Sequence, residues 1–247
     1  MNRESAHTVK SYEQELGQLR AIMARMGGLV ESQTAQAVAA IVDHDEDAAA
    51  AAPELDPQVD ALEREAEVLS IRLLALRAPM ASDLREIVSA LKVTGDLERI
   101  GDYATSIARR SLRLDMAESQ ISLSGLRAMG RLVQDNLRRA IDAMTSRDEE
   151  RATEVWQSDR AVDELYNAMF RELVTYMMED PRNITTCTHL LFIAKNLERI
   201  GDHTTNIAER VFYAATGNML PTMRPRGVRR RGAATGDGTG TADAPSV

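Results

Sequence analysis

Eight carboxylates fall into four pairs, each with its members four residues apart: Asp56 and Asp60, Glu98 and Asp102, Asp159 and Asp163, Glu198 and Asp202. On a helix, that spacing puts both side chains on one face. Each pair therefore aims two oxygen donors in one direction. Four ionised carboxylates gathered in one patch repel strongly, and protonation or a cation relieves the repulsion. Oxygen donors suit Mg, Mn, Fe or Ca better than thiolate-loving metals. The chemistry on offer is cation binding, once in each half of the chain.

The elements that carry these pairs are duplicated. Leu97-Glu98-Arg99-Ile100-Gly101-Asp102 returns unchanged as Leu197-Glu198-Arg199-Ile200-Gly201-Asp202, and ten of fourteen positions agree between 97–110 and 197–210. A period near 100 residues is too long for a solenoid unit, so it reads as a duplicated small domain. Apolar residues at helical spacing place helices at about 8–45, 56–78 and 79–114. In the second copy they fall at about 121–146, 150–179 and 182–216. The first helix carries Leu16, Leu19, Met23, Met26, Val30, Ala37 and Ile41, and the second carries Val59, Leu62, Ala66, Leu69, Leu73 and Leu76. Val93, Leu97, Ile100, Ala104 and Ile107 stripe the third. The acidic stretch 43–47 and Pro53 break the chain between the first two helices, and Pro79 opens the third. The expected fold is all-α: two tandem, similar three-helix bundles with six long helices. Residues 1–116 form the first repeat and 117–219 the second. Residues 220–247 are expected to be a disordered tail, basic and then low in complexity.

Register brings the pairs together. The second and third helices of each copy run antiparallel about a turn, so residues equidistant from the turn face each other. Asp60 with Glu98, and Asp56 with Asp102, are both centred on Pro79. Asp163 with Glu198, and Asp159 with Asp202, are both centred between Asp180 and Pro181. All eight acids lie to one side of the apolar stripes, so two nests of four are expected on the bundle surface, outside the core. Gly101 and Gly201 sit between the acids of their pairs, although glycine inside a helix costs about 1 kcal/mol relative to alanine. Close approach of a neighbouring helix or an ion accounts for them. Asp96 stands where the second copy has Asn196, so it serves one site only and the two sites differ. Arg99 and Arg199 are expected to be solvated. His203, the counterpart of Tyr103, is expected to be a neighbour rather than a ligand.

Composition excludes other classes. Of 247 residues, 44% are apolar, 28% charged and only 4% aromatic, and the helix formers Ala, Leu, Arg and Glu dominate. A β-sandwich and a disordered chain are both disfavoured. Cys187 is the single cysteine, which rules out an internal disulfide and a cysteine-based zinc site. Residues 1–223 hold 25 basic and 36 acidic side chains, a net of −11, which argues against nucleic acid as a ligand. No uncharged apolar stretch of 18 residues occurs, and the first residues lack the apolar core of a signal peptide. A soluble cytoplasmic protein is expected. The alternative function is a helical-bundle di-metal carboxylate enzyme. Such enzymes pair inward glutamates with two Glu-x-x-His motifs. Glu4-x-x-His7 is the one such motif here, so no enzyme and no catalytic residue is expected.

The doubled Leu-Glu-Arg-Ile-Gly-Asp, the stretch Leu73-Leu74-Ala75-Leu76-Arg77-Ala78-Pro79-Met80-Ala81-Ser82-Asp83-Leu84-Arg85, and Met26-Gly27-Gly28-Leu29-Val30-Glu31 resemble the PhoU family over about residues 8–217. The resemblance implies two three-helix bundles side by side, with metal clusters on the acidic motifs. Iron is the expected metal, with Mn, Mg or Zn as alternatives. Glu98, Asp102, Glu198 and Asp202 match the family's E-x-x-x-D motif. Asp56, Asp60, Asp159 and Asp163 match the acids of the preceding helix. The implied role is an adaptor between the ATPase subunit of the phosphate ABC transporter and a phosphate-sensing histidine kinase, repressing the starvation response when phosphate is plentiful. A homodimer is expected, and membrane association only through those partners.

Overall fold

The computed structural model describes residues 3–114 and 121–221, with side chains from Ser11 onward. Within them lie seven α-helices: α1 (Arg3–Val42), α2 (Glu46–Glu54), α3 (Asp56–Arg77), α4 (Ser82–Ser111), α5 (Ser124–Ser146), α6 (Glu149–Glu179) and α7 (Ile184–Thr216). Six are long. The seventh, α2, lies where sequence reading placed only a break. Its run of five alanines shows no polar–apolar period, but alanine is the strongest helix former. Ala49 and Ala52 are buried, and small side chains let α2 sit close on its neighbours. Asp45 starts it, its carboxylate accepting the Ala48 N–H at 2.9 Å, a cap that contributes about 1 kcal/mol.

The turns also differ in detail from expectation. Pro79 lies in the α3–α4 turn rather than in the first turn of a helix, and α4 opens at Ser82. Ala78 and Ala81 take positive φ angles of 45° and 47° to make that reversal. In the second copy Asp180 accepts the Arg182 N–H at 2.9 Å, and a 3-10 turn over Pro181–Asn183 leads into α7. Gly217, at φ 76°, ends α7.

Helices α1, α3 and α4 pack as one bundle and α5, α6 and α7 as another; α4 against α7 and α1 against α5 join them. One apolar cluster runs through both bundles, including Leu19, Met26, Leu62, Leu73, Leu97 and Ile100, and then Met129, Val162, Leu190, Leu197 and Ile200. Burying each such large side chain contributes about 1.5–3 kcal/mol. Leu76, assigned to the stripe from sequence, is instead 68% exposed, because the chain turns away just beyond it.

The join has approximate two-fold symmetry. A β-carbon placed on Gly130 of α5 would stand 2.8 Å from Val38 of α1, and one on Gly27 of α1 would stand 3.0 Å from Ile141 of α5. At the α4–α7 contact Asn196 donates to Ser106 at 3.1 Å, and Asn206 donates to Asp96 at 3.3 Å. Glu86 ties the halves further, accepting from Arg20 at 2.5 Å and from Arg147. Burial by itself would raise the Glu86 carboxyl, but the two guanidinium hydrogen bonds outweigh it and hold it below the ordinary glutamate range. The expected tail lies almost wholly outside the described residues, as does the boundary at 116–117.

Candidate metal centres

Asp56 and Asp60 lie in the opening turns of α3, and Glu98 and Asp102 lie mid-way along α4. The hairpin sets these stretches against each other. Partial burial, then the Asp102 and Glu63 carboxylates, push Glu98 up to about 6, with Asp60 adding to the effect. Asp102 is raised by burial and then by Asp56 and Asp60. The four predicted acids of copy one therefore share one electrostatic neighbourhood. Glu63 joins them, itself raised by burial, by Glu67 and by Asp60. Sequence reading missed Glu63, although it continues the face of Asp56 and Asp60 one turn further along α3.

In copy two, Asp159 and Asp163 of α6 meet Asp202 of α7. Each offers an oxygen, and the three oxygens lie within 4.8 Å of one another. Burial and then Glu198 raise both Asp163 and Asp202. Glu198, the fourth predicted acid, is held by Lys195, with the ammonium 2.6 Å from its carboxylate. Asp159 is not on the surface as expected but is 3% exposed. Its Oδ1 accepts from the Thr205 hydroxyl at 2.8 Å. In copy one Asp56 Oδ1 accepts from Thr105 at 3.2 Å and from Gln33 at 3.4 Å. These threonines each hold one oxygen of the innermost aspartate of their copy. They belong to the repeat and follow each motif aspartate by three residues, which is the signal that marks them.

The two centres are not copies. Gly95 and Glu63 of the first correspond to Lys195 and Tyr166 of the second, where Lys195 also lies over the Tyr166 ring at 5.2 Å. Copy one thus gathers five acids, with Arg99 3.7 Å from Glu98. Copy two gathers four acids and an internal ammonium. Among the described residues, the trio of copy two is the group whose oxygens converge closely enough to share one ion. Asp96 does not enter the first centre. Its Oδ1 lies 2.8 Å from His203 Nδ1, across the α4–α7 contact. His203 is accordingly a bridge between halves, not a ligand of the trio. Arg99 and Arg199 are both exposed, as expected, and Arg199 lies over the Tyr103 ring at 5.5 Å.

The glycines between the acids are explained by helix packing. A β-carbon on Gly101 would stand 2.9 Å from Gln33 Oε1, and one on Gly201 would stand 3.2 Å from Val162. Gly101 makes room for the Gln33 side chain of α1, and Gly201 lets α6 come close to α7. The donor set is all oxygen, half-buried and mutually repelling, which fits a hard or borderline divalent cation. Asp159, Asp163 and Asp202 would hold it in copy two. Asp56, Asp60, Glu98 and Asp102, with Glu63 beside them, would do so in copy one.

Comparison with known proteins identifies the family and agrees with the fold. The chain matches the PhoU domain family over residues 23–111 and again over 126–211. A phosphate-specific transport system accessory protein PhoU homolog of Caulobacter vibrioides is 52% identical over 221 residues, spanning 89% of this chain and 96% of that protein. A homolog of the same name from Zymomonas mobilis is 48% identical, over 91% of this chain and 94% of its own length. The crystal structure of PhoU from Pseudomonas aeruginosa superposes with a TM-score of 0.81 at 43% identity, covering 84% of this chain and all of that one. The phosphate transport system regulatory protein PhoU from Streptococcus pneumoniae superposes at 0.78, with 31% identity, over 85% of this chain and 99% of its own.

Proposed function

This chain belongs to the PhoU family, and from that membership we propose that it is a metal-binding accessory regulator of phosphate-specific transport. One observation carries the reading: 52% identity to an accessory protein of that system over nearly the whole of both chains. The relatives are named as accessory and regulatory proteins, not as enzymes. In this reading the protein links the ATPase subunit of the phosphate transporter to a phosphate-sensing histidine kinase and restrains the starvation response when phosphate is plentiful. The strength of such restraint is set by how much more tightly it binds one state of the assembly than the other. Among the described residues no helix is long and apolar enough to cross a membrane. Action at the cytoplasmic face, through those membrane-bound partners, is the corresponding placement.

The carboxylate centres supply the metal-binding part of the proposal. A bound divalent ion neutralises repulsion between α3 and α4, and between α6 and α7, and so clamps each hairpin. Elemental analysis of purified Glu98→Ala/Asp102→Ala protein tests it. About half of the wild-type metal should remain, held by the second copy; unchanged stoichiometry removes copy one as a centre. Affinity capture from phosphate-replete cells should recover the transporter ATPase and the kinase. Their absence from the captured material would defeat the adaptor role.

A further inference from the structure

Beside the first centre lies a pocket of about 240 Å³, walled by Asp56, Asp102, Thr105 and Ser106 and by the arginines Arg109, Arg110 and Arg113. Asp102, Ser106 and Arg109 are spaced 4 and 7 residues along α4 from the first of them, so they form one stripe down that helix, and Arg113 follows two residues past its end at Ser111. Arg110 is engaged, its guanidinium 3.1 Å from His189 Nδ1 and stacked over Phe192 at 4.5 Å. Even so, its Nε is buried without an acceptor. Arg109 and Arg113 are exposed and take no carboxylate among the described residues.

The second copy lacks this arrangement. Glu209 and Tyr213 stand where copy one has Arg109 and Arg113. The Trp156 indole, 3% exposed, donates to Glu209 at 3.1 Å and fills that locus. The arginine cluster is therefore particular to one half of a duplicated protein.

One wall of the pocket is acidic and the other is guanidinium. Planar guanidinium groups bind tetrahedral oxyanions through paired N–H donors. With the carboxylates bare, an anion drawn in by the arginines would meet Asp56 and Asp102. With a divalent ion seated on those acids, both walls attract it. The space holds a small oxyanion and a few waters, at about 30 Å³ per water. We propose that this pocket is an inorganic-phosphate subsite that binds its anion only when the first centre carries its cation. The proposal rests on the metal-binding reading above and adds the ligand through which it reports. Coupling is reciprocal: phosphate tightens the metal at centre one by the factor by which the metal tightens phosphate.

Equilibrium dialysis of the full chain with labelled inorganic phosphate tests this, using chelator-stripped protein with and without reloaded Mn²⁺. The reloaded protein should bind one phosphate per chain, at least ten-fold more tightly than the stripped protein. Arg109→Ala/Arg113→Ala should keep the wild-type Mn²⁺ stoichiometry and lose that affinity; both side chains are exposed, so its melting curve should be unchanged. If Mn²⁺ loads but phosphate binds equally to wild type and variant, the subsite is wrong and the metal reading stands. Failure of wild-type protein to take up Mn²⁺ overturns both. Glycerol phosphate binding more tightly than free phosphate would overturn the assignment to the inorganic ion.

Discussion

Glu98→Gln isolates the electrostatic cost of the first centre. In metal-free protein the wild-type carboxyl stands at about 6, against an ordinary 4.5. The causes are burial first, then Asp102 and Glu63. A rise of that size corresponds to about 2 kcal/mol between the protonation states. The side chain retains 24% of its surface in solvent, and screening there reduces the effect to about 1 kcal/mol. The sign follows from linkage. Between pH 4.5 and about 6 the folded chain holds a proton that the unfolded chain has lost, so wild-type stability falls as pH rises through that window. Above it the loss is complete. Glutamine keeps the shape and never ionises. Chelator-treated Glu98→Gln should therefore melt about 2–4 °C higher than wild type at pH 7.5 and close to wild type at pH 4. Circular dichroism melts at the two pH values measure this. Added Mn²⁺ should reverse the order at pH 7.5, because the wild type regains more from the ion than the variant does. A variant less stable than wild type at pH 7.5 without metal, or a gain of equal size at both pH values, would refute the argument that the carboxylates repel in the empty centre.

Two further outcomes bear on the asymmetry and on the join. Lys195 occupies Glu198 as a built-in cation at 2.6 Å, with Lys195 half-exposed and Glu198 mostly buried, and a pair whose cation reaches solvent contributes about 0.2–1 kcal/mol. Lys195→Ala should accordingly tighten Mn²⁺ binding at the second centre by about two- to five-fold in a competition titration, and no change would mean the ammonium does not compete with the ion. Gly130→Ala would press a methyl to 2.8 Å from the branched Val38 side chain between α1 and α5. Overpacking there should cost about 1–3 kcal/mol in chemical unfolding, despite alanine's better helix propensity; an unchanged or higher midpoint would show that the seam has room.

Much of this protein was legible in its sequence because the informative signals are local or repeated. Apolar residues every three to four positions mark helices wherever they occur, and Leu19, Met26, Leu97 and Ile107 are buried as that period requires. Acids four apart share a helix face by covalent geometry alone, and two turns fixed the register that sets Asp60 near Glu98. What the sequence left undecided depends on contacts between residues far apart in the chain. The helix α2 gave no pattern because alanine has none. Leu76 kept the period but lies where the chain turns outward. Asp96 matched Asn196 in the alignment of the repeats, yet it meets His203 across the α4–α7 contact. The arginine pocket arises because Arg109 continues the Asp102 face of α4 and Arg113 follows just past the helix end, while Trp156 closes the same place in the other half. Local periodicity fixes which face of a helix each side chain occupies; the packing of one helix against another decides what that face meets, and that rests on the shapes of side chains some hundred residues away.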